Sequence, residues 1–77
     1  MITLLSSTSC APCKHAKRLL ESKQIPFEYK VVELHDGMEL LSEHNIRTVP
    51  TLIVPQGDLA PRLVSGLQPI IKYLGET

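Results

Sequence analysis

The apolar side chains fall into short blocks whose spacing changes along the chain. Ile2, Thr3, Leu4 and Leu5 form a short, largely apolar run that gives way to Ser6, Ser7, Thr8 and Ser9. This is the pattern of a buried strand leaving into a polar loop. From Pro12 the period lengthens: Ala16, Leu19 and Leu20 share one helical face, while Lys14, Lys17, Arg18 and Glu21 lie on others. Pro12 suits a first helical turn because no N–H partner is needed there, and the helix is expected to fail before Pro26. Residues 27–34 contain Phe27, Tyr29, Val31 and Val32, a β-rich stretch that predicts a second strand with Glu28 and Lys30 facing water.

Asp36 or Gly37 can cap a second helix with Met38, Leu41 and Leu40 pointing inward, ending near Asn45. Residues 51–54 are an apolar run between Pro50 and Pro55. Gln56, Gly57 and Asp58 then make a turn, and residues 61–64 return as the other strand of a hairpin. Leu67, Ile70, Ile71 and Leu74 recur at i, i+3, i+4 and i+7, the cleanest amphipathic pattern in the chain. The resulting order, β-α-β-α-β-β-α, predicts an α/β fold in which a mixed four-stranded sheet is flanked by helices. The length of 77 residues accommodates one domain, residues 1–77.

Composition narrows the function. Eight basic and eight acidic residues leave no net charge to attract a polyanion, so nucleic acid is not an expected partner. No apolar run approaches the roughly 18 residues of a membrane span, and residues 1–5 are too short for a signal h-region, so the expectation is a cytoplasmic protein with no membrane partner.

The two cysteines, Cys10 and Cys13, lie too close in sequence to staple distant elements. In a reducing compartment such a pair serves as metal ligands or as a redox couple. A zinc site, in a binding module without catalysis, would use His15, His35 or His44 to complete it, but a tetrahedral site normally has a second closely spaced ligand pair and the sequence has none. The three histidines are scattered and read as solvated or packing residues.

The redox reading asks for one sulfur held as thiolate, the only form that attacks a disulfide. If Cys10 lies just before the helix and Cys13 in its first turn, unpaired N–H groups and the positive end of the helix dipole point at Cys10. Lys14, Lys17 and Arg18 are candidates to add positive potential, although their helical positions can aim them away. Cys10 then attacks, and Cys13, one turn in, resolves the mixed disulfide. Pro12 fixes a backbone dihedral between them.

A strand, a loop, Cys10-Ala11-Pro12-Cys13 opening a helix, then Thr48-Val49-Pro50-Thr51 before a hairpin strand resembles the thioredoxins and glutaredoxins over nearly the whole chain. The resemblance implies the thioredoxin fold, thiol–disulfide exchange, a cis Pro50 packed beside the reactive pair, and a Val49 backbone that pairs with substrate. Within that superfamily the length is that of glutaredoxins. Yet Ser7 stands where glutathione users tend to carry a lysine, and Ser65-Gly66-Leu67-Gln68-Pro69 stands where they often carry Gly-Gly and an acidic residue. That segment is similar to the Ser-Gly-Phe-Arg-Pro stretch of NrdH-type redoxins, with Leu67 in place of the aromatic residue and Gln68 in place of arginine.

This likeness implies a substrate-binding set of Pro12, Val49, Pro50, Ser65 and Gly66 in a monomer with no bound cofactor. It also implies electrons from NADPH through thioredoxin reductase and ribonucleotide reductase as acceptor, with glutathione as the alternative reductant. Read without it, Ser65-Gly66 is ordinary turn and capping chemistry, and Pro50 ends a segment before a strand.

Overall fold

The apolar run at the start of the chain becomes β1 (Ile2–Ser6), an interior strand of a four-stranded sheet. The structure, a computed structural model, describes residues 1–75. Residues 76 and 77, the end of the expected 1–77 domain, lie outside the described residues. After β1 come α1 (Ala11–Ser22), β2 (Phe27–Val31), α2 (His35–Glu43), β3 (Thr51–Gln56), β4 (Leu59–Ser65) and α3 (Leu67–Gly75). The spatial order is β2-β1-β3-β4, with β1 and β2 parallel and the β1–β3 and β3–β4 pairs antiparallel. This is the mixed α/β sheet of the thioredoxin fold, as expected from the element order.

Register explains why two cores form. Leu4, Leu52 and Val64 stand side by side across β1, β3 and β4, so they point to one face. There they meet Ala16 and Leu20 of α1 and Ile70 and Leu74 of α3. Leu5 and Ile53 point to the other face and pack with Ile46, against which Leu40 and Leu41 of α2 are half-buried. The α2 side is the thinner of the two cores.

Several boundaries differ from the sequence expectation. Ser6 belongs to β1 and is fully buried, because its hydroxyl shares a hydrogen bond of 2.8 Å with the Tyr29 hydroxyl. β2 stops at Val31, and Leu34 rather than Asp36 or Gly37 occupies the N-cap of α2, without a side-chain capping bond. Gly37 lies inside the helix, at a position that takes glycine because a Cβ there would run into the Val31 carbonyl and come 2.9 Å from the Val32 nitrogen. That close approach rotates Met38 outward, leaving it 56% exposed rather than inward-facing. Lys30 is only partly exposed, its ammonium 3.6 Å from Asp36. β3 and β4 both run longer than expected, carrying Pro55 and Gln56 at one end and Leu59 and Ala60 at the other.

Candidate active site

Strand directions gather the chemistry at one end of the sheet. β1 and β2 are parallel, so both finish there; β3, antiparallel to β1, begins there, and β4 ends there. The loop that carries Cys10, the turn after β2, the Val49-Pro50 segment and Ser65-Gly66 therefore meet at a common edge.

Cys10 is the N-cap of α1, with the extended backbone (φ −110°, ψ 108°) that an N-cap adopts. Its sulfur accepts a hydrogen bond of 3.1 Å from the Cys13 N–H, the role a serine or aspartate oxygen plays at other helix starts. Pro12 sits in the first turn, as expected, where its missing N–H costs nothing. No acidic side chain occupies that turn to oppose the positive pole of the helix. The two cysteines form a disulfide with their Cα atoms 5.3 Å apart. Their surroundings differ: Cys10 is half-buried and Cys13 has no exposed surface.

The Val49–Pro50 peptide is cis, as the family resemblance implied, and Pro50 is buried. The Pro50 carbonyl accepts a hydrogen bond of 2.8 Å from the Gly66 N–H. Gly66 has φ +93°, a backbone state that residues with a Cβ rarely adopt, so the turn into α3 depends on glycine at this position. Ser65 stands opposite Thr51, whose hydroxyl donates to the Thr48 carbonyl and lies 3.3 Å from the Ser65 hydroxyl. Val49 is half-buried against the Leu5, Ile46 and Ile53 cluster, and its N–H and C=O have no hydrogen-bond partner among the described residues. Pro50 and Gly66 are thus tied by one hydrogen bond and Ser65 to Thr51 by another, while Val49 joins them only through the chain. The shared sheet end, rather than a hydrogen bond, brings Cys10 and Cys13 beside them.

Of the histidines, His15 is exposed on α1, His35 lies 2.7 Å from Glu39, and His44 is half-buried at the end of α2. Among the described residues, no three His, Cys, Asp or Glu side chains converge where they could hold a metal ion.

Sequence reasoning missed Glu33. Its carboxylate accepts from the Ser7 hydroxyl at 2.7 Å, the Thr8 hydroxyl at 3.2 Å and the Thr8 N–H at 3.3 Å. These bonds, led by that of Ser7, hold its pKa below the ordinary carboxylate range. The signal was present in the strand register: every β1 residue stands beside the residue 25 positions later. Continuing the count past Ser6 and Val31 sets Thr8 beside Glu33. Tyr29, a β2 residue in the sequence expectation, also lies beneath the Lys17 ammonium at 4.8 Å and reaches Ser6 with its hydroxyl.

A cysteine pair at a helix start, beside a cis-proline loop on this sheet, defines a thiol–disulfide oxidoreductase of thioredoxin-like fold. The family model for glutaredoxin matches residues 2–59, so the chain belongs to the glutaredoxin family. Two solved structures are similar over almost their full length. The thioredoxin-like protein BC3987 is 24% identical with a TM-score of 0.75, covering 99% of this chain and 97% of that one. NrdH-redoxin from Escherichia coli, described as glutaredoxin-like with a thioredoxin-like activity profile, is 30% identical with a TM-score of 0.67, covering 92% and 91%. A buckwheat glutaredoxin solved with glutathione shares the fold at 18% identity and a TM-score of 0.69, covering 97% of this chain and 68% of that one. No curated protein matches the chain.

Proposed function

We propose that this redoxin reduces protein disulfides through Cys10, is recharged by NADPH and thioredoxin reductase, and passes electrons to a ribonucleotide reductase in the cytoplasm. The contrast between a half-buried Cys10 and a buried Cys13 carries the assignment of roles. Only an accessible sulfur can meet a protein disulfide, and the Cys13 N–H aimed at it favours the thiolate form. In the first step the Cys10 thiolate attacks one sulfur of the substrate, the substrate S–S bond breaks, and the departing thiolate takes a proton. In the second, the Cys13 sulfur, having given up its proton, attacks Cys10 Sγ. The mixed disulfide breaks, the second substrate thiol leaves, and the protein disulfide remains. Two electrons and two protons have moved to the substrate.

Val49 offers an N–H and a C=O with no internal partner to an extended substrate backbone, next to the buried Pro50. Pro12, Ser65 and Gly66 complete the docking rim. The likeness to NrdH-redoxin favours thioredoxin reductase as electron source. The glutaredoxin family match supports the rival, glutathione. Disulfide reduction with NADPH and thioredoxin reductase, run beside NADPH, glutathione and glutathione reductase, decides between them. Turnover with the first couple alone is expected, and turnover with glutathione alone overturns the reductant assignment.

A further inference from the structure

The loop between β1 and Cys10 is braced by a charge. Ser7 and Thr8 both donate to Glu33, and the Cys10 N–H donates to the Ser7 carbonyl at 3.4 Å, so residues 7–10 form one turn with the carboxylate at its side. Across such a turn the end Cα atoms lie within about 7 Å of each other, which sets the Glu33 charge on the order of 10 Å from the Cys10 sulfur. Among the described residues no cation is within ion-pair distance of Glu33. Lys17 is drawn onto the Tyr29 ring, while Lys14 and Arg18 are exposed on α1. Glu33 is itself exposed, and the bonds from Ser7 and Thr8 keep it ionised through the neutral range.

We infer that Glu33 is a specificity-determining residue: it selects disulfides whose groups over the Ser7–Thr8 turn are cationic or neutral, and it disfavours anionic thiols at Cys10. The inference rests on the reading of Cys10 as the attacking sulfur. At a separation on the order of 10 Å in water, one unit charge alters an encounter about twofold. The two-unit difference between a cationic and an anionic half-disulfide therefore amounts to about fourfold. Ionic strength screens the effect, since the Debye length is about 10 Å at 0.1 M salt and shorter above it.

The test is single-turnover oxidation of the full chain, reduced with dithiothreitol and freed of it, by three small disulfides: cationic cystamine, neutral bis(2-hydroxyethyl) disulfide and anionic oxidised glutathione. Glu33→Gln keeps an accepting oxygen and removes the charge. The ratio of cystamine to glutathione disulfide rates is expected to fall about fourfold at low salt, and the wild-type preference is expected to fade at high salt. The pair Ser7→Ala and Thr8→Val removes the two hydroxyl donors, leaves the Thr8 N–H bond and keeps the charge, so the cystamine-to-glutathione ratio is expected to hold. A cystamine-to-glutathione ratio unchanged in Glu33→Gln overturns the inference and leaves Glu33 as a brace alone. No reductase takes part in this assay, so the identity of the natural reductant is read separately from it.

Discussion

Gly37→Ala sets two principles against each other at one atom. Gly37 occupies the third position of α2, where alanine is the better helix former by about 1 kcal/mol. On propensity alone the variant gains stability. But the added Cβ meets the Val31 carbonyl carbon and oxygen and lies 2.9 Å from the Val32 nitrogen. All three are backbone atoms, so no side chain can rotate away. Either α2 shifts off the end of β2 or the Val31–Val32 segment moves, and such overpacking costs about 1–3 kcal/mol or more. The α2 side has little to give up, since Leu40 and Leu41 are its main grip on Leu5, Ile46 and Ile53. With the full cost at the high end of that range, the expected net loss is about 2 kcal/mol. For a domain of this length that lowers the melting temperature by about 8–16 °C. Urea titration followed by circular dichroism reads the change as a lower midpoint at unchanged slope. Gly75→Ala is the control, because a Cβ there meets nothing within 4 Å, and it is expected to be neutral. A Gly37→Ala protein as stable as the parent, or more so, refutes the close-approach reasoning.

Cys13→Ser is expected to accumulate a mixed disulfide with a protein substrate, visible on a non-reducing gel, while Cys10→Ser forms none; the opposite pattern reverses their roles. Leu52→Ala empties the centre of the main core, between Leu4 and Val64, and is expected to cost about 3 kcal/mol by denaturant titration. That is a large share of the roughly 4–12 kcal/mol a chain of this length holds, and a loss under 1 kcal/mol contradicts the packing described. Glu33 has a depressed pKa in the folded protein, so its brace is fully present above the unfolded-state value and is lost as pH falls through the lower folded one. The protection factor of the Thr8 amide, its exchange rate relative to that of an unstructured chain at the same pH, is therefore expected to fall once pH drops below the ordinary carboxylate range in the wild type but not in Glu33→Gln; identical acid profiles of protection would show that the carboxylate does not hold the loop.

Much of the fold was legible because it is written in local spacing. The 3.6-residue period of α1 and α3 and the cysteine pair opening α1 need no knowledge of distant partners. The errors cluster where a distant backbone decides the outcome. Met38 has the spacing of an inward residue, yet α2 turns it out because Gly37, one position earlier, is pressed against Val31. Ser6 reads as loop because serine is polar, yet it is buried once Tyr29 supplies its hydrogen bond across the parallel pair. Lys30 reads as a water-facing strand residue, yet the face it shares with Leu5 is covered by α2, where Asp36 meets it.

The candidate site divides in the same way between local spacing and distant contact. Cys10, Pro12 and Cys13 lie within one turn at the start of α1, so their spacing is legible in the sequence. Pro50 and Gly66 are joined by a single backbone bond between residues 16 positions apart, and only a family resemblance linked them beforehand. Glu33 had neither advantage, being tied to Thr8 solely by the register of β1 against β2. Yet a parallel pair with fixed register constrains such contacts as firmly as a helix constrains i and i+4, because moving a strand by one residue turns every side chain to the opposite face. Such a slip would turn Ile2 away from the main core, bring Thr3 to that face, and part the Ser6 and Tyr29 hydroxyls. The register that holds the two cores therefore also delivers a carboxylate to the loop before Cys10, and substitutions deep in β1 are expected to disturb that loop through the register.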